Sequence, residues 1–274
     1  MFKIGVSSCS KTLDDELFAA YCANNISCIE ISERYETYKN LDYGMLKELS
    51  EKHSVELWSL HLPFDADIDI SNPMYSSSTI EIHKTIIEKA TEIGITTFIL
   101  HPSAEPISDT ERQERMSRSK QSLHILAEFA HRRGAVIAVE NLPRTCLGKN
   151  KEEMLELLSA NDGLRACFDT NHLLSGCPVE FIKALGDKMI TTHISDFDFI
   201  NERHWLPGEG CLDWQSIINA LREINYNGPW LYELGFEAPN TIDRPKNLTC
   251  EDFARNANEL FSGLPVTVIG KSKI

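Results

Sequence analysis

The chain has 274 residues, with 27 Lys plus Arg against 41 Asp plus Glu, a formal charge of −14. At 42% hydrophobic and 25% charged residues it has the composition of a globular protein, which excludes a disordered chain. No apolar run approaches the roughly 18 residues of a membrane span, and the acidic balance argues against a general nucleic-acid binder. The opening Met1-Phe2-Lys3-Ile4-Gly5-Val6 runs straight into a strand-like segment, without the apolar core and cleavage site of a signal peptide, so the expected compartment is the cytoplasm. The eight cysteines form no Cys-x-x-Cys pair, and free buried thiols are the expectation for a reducing cytosol.

Short apolar runs alternate with amphipathic stretches from end to end. Lys3–Val6 predicts the first strand, and Leu17, Phe18 and Tyr21 predict a helix over Asp14–Cys22. Strands follow at Cys28–Ile31 and Val55–Leu60. Ile80, Ile86, Ile87 and Ala90 then mark a helix over Ser78–Glu92, stopped by Gly94 before a strand at Thr97–Leu100. Leu123, Leu126, Ala127 and Ala130 mark a helix over Gln121–Ala130, stopped by Gly134 before Val136–Val139. The remaining strands are expected at Ala166–Phe168, Ile190–Thr192 and Trp230–Tyr232, with a helix at Trp214–Ile224 capped by Asp213.

These runs are short and often apolar throughout, as parallel strands buried on both faces require. Eight of them alternating with helices suit a doubly wound sheet or a closed barrel. No Gly-x-Gly-x-x-Gly follows the first strand, and no Pro- or Ser-rich linker divides the chain. The expectation is therefore an α/β protein, one (β/α)8 TIM barrel over residues 1–263, with 264–274 a loosely attached tail.

The C-terminal ends of barrel strands converge on the face that holds active sites. Here they carry His61, His101, Glu140, Asp169, His172, His193 and Glu233, and the loop after the seventh strand adds Glu202, Arg203, His204 and Trp205. His53, His83, His124 and His131 fall in helical or linking segments and are expected at the surface. Alone, His61 or His101 reads as a hydrogen-bonded structural residue, and Glu30 as a buried acceptor. Glu140, Asp169, His193 and Glu233 differ because they come from consecutive strands with no basic residue among them. Such a set would repel itself without a cation, and its ligand atoms suit Zn²⁺, Mn²⁺ or Fe²⁺. The stretches Asp65-Ala66-Asp67-Ile68-Asp69 and Asp196-Phe197-Asp198 predict an acidic rim, unsuited to a nucleic-acid backbone. Arg144 and Arg203 are the basic residues placed near the site.

Phe168-Asp169-Thr170-Asn171-His172, His193-Ile194-Ser195-Asp196 and Pro207-Gly208-Glu209-Gly210, in that order and spacing, resemble the xylose-isomerase-like superfamily of barrels. That group includes sugar isomerases, ketose 3-epimerases, inosose dehydratases, hydroxypyruvate isomerases and endonuclease IV. The resemblance extends over nearly the whole barrel. The ketose-epimerase pattern implies one divalent ion (Mn²⁺, Zn²⁺, Mg²⁺ or Co²⁺) on Glu140, Asp169, His193 and Glu233. Glu140 and Glu233 would double as acid and base on opposite faces of a small sugar, through an enediolate. His172 would contact a substrate hydroxyl, with Arg144, Arg203 and Trp205 as further substrate contacts. The endonuclease IV pattern implies up to three zinc ions, with His61, His101, His172, Glu202 and His204 as additional ligands; Glu202 stands where that family has an aspartate. The leading expectation is a metal-dependent sugar isomerase or epimerase acting on a small sugar, free of membrane and nucleic acid; barrels of this type often pair, which leaves a homo-oligomer open. The alternatives are an endonuclease IV-like phosphodiesterase, a dehydratase of the inosose type, and a non-catalytic binding protein.

Overall fold

In the computed structural model, which describes residues 2–9 and 11–274, eight parallel strands form a barrel inside a ring of helices. Met1, where the expected first unit begins, lies outside the described residues, as does Ser10. The barrel strands are β1 (Ile4–Ser7), β2 (Cys28–Ser32), β3 (Glu56–His61), β4 (Thr97–Leu100), β5 (Val136–Glu140), β6 (Arg165–Asp169), β7 (Met189–His193) and β8 (Trp230–Tyr232). From β1 to β7 each pairs with the next in sequence, and β8 pairs with β1. The circle closes where Ile194 bridges Tyr232, donating its N–H to the Leu231 carbonyl at 2.8 Å.

The helices are α1 (Asp15–Ala23), α2 (Tyr35–Asn40), α3 (Tyr43–His53), α4 (Ser76–Glu92), α5 (Arg112–His131), α6 (Lys151–Leu158), α7 (Pro178–Leu185), α8 (Trp214–Glu223) and α9 (Cys250–Phe261). Polar side chains start five of them. Asp14, Asp42, Asn150, Asp213 and Thr249 each accept a backbone N–H of the first turn. Most of the core lies between strands and helices, where faces such as Ile80, Ile86, Ile87 and Ala90 of α4 are buried. Inside the barrel, Ile99, Ala138 and Cys167 form a separate small layer. No described helix is long and apolar enough to cross a membrane.

Several expectations change. Residues 264–274 leave most of their side chains exposed but are tied to the barrel at several points. Lys271–Ser272 forms β10, antiparallel to β9 (Ile242–Asp243), and Val266 lies where any side chain on Gly208 (φ +95°) would collide with it. The Gly270 N–H donates to Glu209 at 2.7 Å, and the buried Arg244 guanidinium donates to the same carboxylate at 3.1 and 2.6 Å. His83 is 1% exposed, not at the surface, because it lies on the inward face of α4 with Nε2 2.9 Å from the Pro63 carbonyl. The cysteines are all free, but Cys22, Cys177 and Cys211 are exposed.

Glu209→Ala leaves Arg244 buried without its counter-charge and should cost about 3–5 kcal/mol, read as a lowered urea midpoint. Burial pushes the His83 imidazole down to about 4 from its ordinary 6.5. Between those values the unfolded chain binds a proton there that the folded chain does not, so stability falls as pH falls through this window. The loss from pH 7 to pH 5 should be about 2 kcal/mol, and urea titrations of His83→Gln at the two pH values should show a correspondingly smaller drop.

Candidate metal centre and substrate cavity

The quartet meets where β5 to β8 end. His193 Nδ1 lies 3.1 Å from Glu140 Oε1, 3.1 Å from Glu233 Oε2 and 3.8 Å from Asp169 Oδ2. One ligand atom from each of the four falls within 4.8 Å of the others. Local structure aims them. Asp169 Oδ1 accepts the N–H groups of Asn171 and His172 at 2.6 and 2.9 Å. Its other oxygen, Oδ2, is then left buried with no hydrogen-bond partner. The Asn141 amide clamps the Asp169 backbone on both sides, at 2.9 and 2.8 Å.

The additional histidines gather around Glu140. His61 and His101 approach Oε2 with their Nε2 atoms at 3.1 and 3.2 Å, and His172 Nδ1 approaches Oε1 at 3.1 Å. His172 Nε2 also lies 3.2 Å from Glu202 Oε1. His204 lines the same mouth but turns Nδ1 to the Glu233 carbonyl at 3.2 Å. Arg144 and His204 both adopt left-handed backbone, φ 51° and 49°, a conformation that non-glycine residues hold at an energetic cost and that concentrates at functional sites.

Burial opposes ionisation of Glu140, yet His193 and His101 beside it hold its carboxyl well below the ordinary range. Asp169 goes the other way: burial, together with the carboxylates of Glu233 and Glu140, drives it well above that range. Burial would lower His193, but surrounding anionic groups, among them Glu233, Glu30 and Glu140, raise it well above 6.5. Burial would raise Glu202, but His172 and Arg144 hold it at about 2. Three carboxylates and an imidazole so placed, with one carboxylate oxygen buried and unpartnered, fit a divalent cation. The two metal-ligand clusters among the described residues, this quartet and His61–Glu140–His193, both lie here.

Above them opens a cavity of about 520 Å³, walled by Phe64, Asp65, His101, Glu105, Arg144, Glu202 and Glu233 among others. A larger groove of about 1090 Å³ runs outside the barrel along α5 and α6, away from the strand ends. Phe64 is half exposed and stacks on the His101 ring at 3.8 Å. Arg144 is held by Glu105 through Nε and Nη2 and by Glu202 through Nη1.

Other expected contacts do not reach the cavity. Trp205 is 1% exposed with its indole N–H on Thr241, because it pairs backbone to backbone with Asp196 beneath the loop. Arg203 turns to Asp198. The expected acidic rim is thinner than its sequence. Asp69 is buried on Arg115, and Asp196 is buried on four N–H groups, those of Phe197, Gly208, Leu212 and the Trp214 indole. Phe64, Glu105 and Asn141 were not singled out by the sequence. Phe64 and Asn141 directly follow the His61-Leu62-Pro63 and Glu140 strand ends, which was the available signal; Glu105 had none.

The profile of the xylose isomerase-like TIM barrel matches residues 20–251. An uncharacterised protein of Methanocaldococcus jannaschii is 30% identical over 204 residues, spanning 71% of this chain and 69% of its own. Among solved structures, a D-tagatose 3-epimerase-like protein superposes with a TM-score of 0.78 at 25% identity, over 95% of this chain and 96% of its own. The 3-keto-D-glucoside 4-epimerase of E. coli does so with a TM-score of 0.75 over 96% and 100%, at an identity of 18% that speaks to fold alone. By its matched length and by the strand-end residues that length contains, the chain belongs to the xylose isomerase-like TIM barrel family.

Proposed function

We propose that the protein is a divalent-metal-dependent isomerase or epimerase of a small sugar. The observation that carries this reading is a monosaccharide-sized cavity with Glu233 in its wall and Glu140 behind, both 3.1 Å from one imidazole nitrogen. Similarity to a D-tagatose 3-epimerase-like structure supports it. The lining supports it too, since Arg144, the one arginine or lysine among the described cavity residues, is already committed to two carboxylates.

Glu140, Asp169, His193 and Glu233 would hold the ion, which supplies Lewis-acid polarisation of a substrate carbonyl. Glu233, whose side chain is 16% exposed while that of Glu140 is fully buried, faces the cavity and takes a proton from the carbon beside the carbonyl. The resulting enediolate regains a proton through Glu140, which takes it from the His172 imidazolium 3.1 Å away, while Glu233 releases the proton it took to solvent through the cavity and His172 is reprotonated from solvent. Delivery to the opposite face gives the epimer, and delivery to the neighbouring carbon gives the isomer. Phe64 offers an apolar platform to a sugar ring, and the His172–Glu202 pair offers hydrogen bonds to hydroxyls.

In D₂O with D-tagatose, D-allulose or L-ribulose, the wild type should incorporate deuterium at carbon, followed by NMR. Glu233→Gln and Glu140→Gln should each slow this by about 10²–10⁴-fold. Absence of exchange with every ketose tried, in metal-loaded protein, would sink the reading.

A second reading, a multinuclear zinc phosphodiesterase, is favoured by one specific observation. His61 and His101 both converge on Glu140 Oε2, as ligands of a second ion sharing that carboxylate would. Elemental analysis of chelator-free protein separates the two. The isomerase reading expects close to one ion per chain, lost in Glu140→Gln and kept in His61→Ala. The phosphodiesterase reading expects close to three, with one lost in His61→Ala and cleavage of abasic DNA by the wild type.

A further inference from the structure

On the far side of His193 from the quartet, Glu30 lies wholly inside the barrel. Its carboxylate oxygens stand 3.1 and 3.2 Å from His193 Nε2. The pairing of β2 with β3 shifts register between Ile29 and Glu30, skipping Trp58 and bringing Glu30 alongside Ser59. The Ser59 hydroxyl then donates to Glu30 Oε2 at 2.8 Å and fixes the carboxylate across the lumen from β7. Glu30 is not among the residues that wall the cavity and lies at the Nε2 side of His193, away from the ligand atoms gathered at Nδ1.

A neutral imidazole carries one N–H. With a carboxylate at Nε2, that hydrogen belongs there, and the Nδ1 lone pair is turned toward Glu140, Glu233 and Asp169. A lone pair facing three carboxylates is favourable only with a cation between them. A carboxylate behind a ligating histidine fixes the ring's tautomer and orientation and strengthens it as a donor.

We propose that Glu30 is a positioning residue of the centre: it selects the Nε2–H tautomer of His193 and makes Nδ1 the ligand atom. The inference rests on the metal-binding reading of the quartet and is tested by metal affinity and spectroscopy, without turnover. Zinc affinity is measured by competition with a chromophoric chelator for wild type, Glu30→Gln and the milder Ser59→Ala, with thermal melts to verify folding. In the zinc-loaded protein, long-range ¹H–¹⁵N spectra of His193 report which nitrogen carries hydrogen. The expected results are a weakening of about 10–100-fold in Glu30→Gln, a smaller one in Ser59→Ala, and a downfield Nε2–H resonance in the wild type that moves upfield in Ser59→Ala. Wild-type protein that binds no zinc overturns the metal reading and the proposal with it. Tight wild-type binding with Glu30→Gln within twofold of it, or with zinc on Nε2, overturns the proposal alone. Should Glu30→Gln fail to fold, an unchanged affinity and resonance in Ser59→Ala overturns it.

Discussion

The arrangement of the barrel mouth follows from crowding three carboxylates around one imidazole nitrogen where water is scarce. Glu140, Asp169 and His193 are fully buried, and Glu233 nearly so. Like charges in a dry site cannot all stay ionised unless something positive joins them. The chain answers in part with its own groups: His61, His101 and His172 surround Glu140. Asp169 has no such partner on Oδ2, and its proton affinity rises accordingly. The remaining deficit of positive charge is what a metal ion would supply under the proposed function, and the proposed role of Glu30 behind His193 depends on the same deficit.

A second group of carboxylates holds the loops that shape the cavity. Asp196 gathers N–H groups from residues 197, 208 and 212 and the Trp214 indole. Glu209 gathers Leu206, Arg244 and Gly270. Asp69 binds Ser71, Ala104 and Arg115, tying the loops after β3 and β4 together. Each is a buried anion matched by several donors, which is the condition for its burial to be tolerated. Their effect is to fix Phe64, Glu105, Glu202 and His204 around one opening, with loop backbone held from below by the C-terminal segment. The net charge of −14 is therefore not a measure of the rim's field.

Much of this was legible before any coordinates. All eight barrel strands begin and end within two residues of their apolar runs, since a strand buried on both faces leaves little room for polar residues. Helices were harder. The helix expected over Gln121–Ala130 runs from Arg112 to His131; its first turn, Arg112-Gln113-Glu114-Arg115, is wholly polar and gave no apolar period to read, although Arg115 is buried on Asp69. The short α2, α6 and α7 were missed for want of length, α3 because only Leu46 and Leu49 mark its buried face, and α9 although Phe253, Ala257, Leu260 and Phe261 keep helical spacing.

The sequence by itself determined the strand count, the strand-end chemistry and the quartet of ligand types, because these depend on period and on which residue follows each strand. Only the tertiary structure decided which carboxylates face the cavity and which are structural, that Trp205 lies under a loop, that the tail is strapped to Glu209, and that His83 is interior. Those outcomes depend on donors far away in the chain, such as Gly270 for Glu209 and Arg115 for Asp69. Local pattern encodes which side of an element is apolar; it does not encode which distant N–H or guanidinium will arrive to satisfy a buried charge.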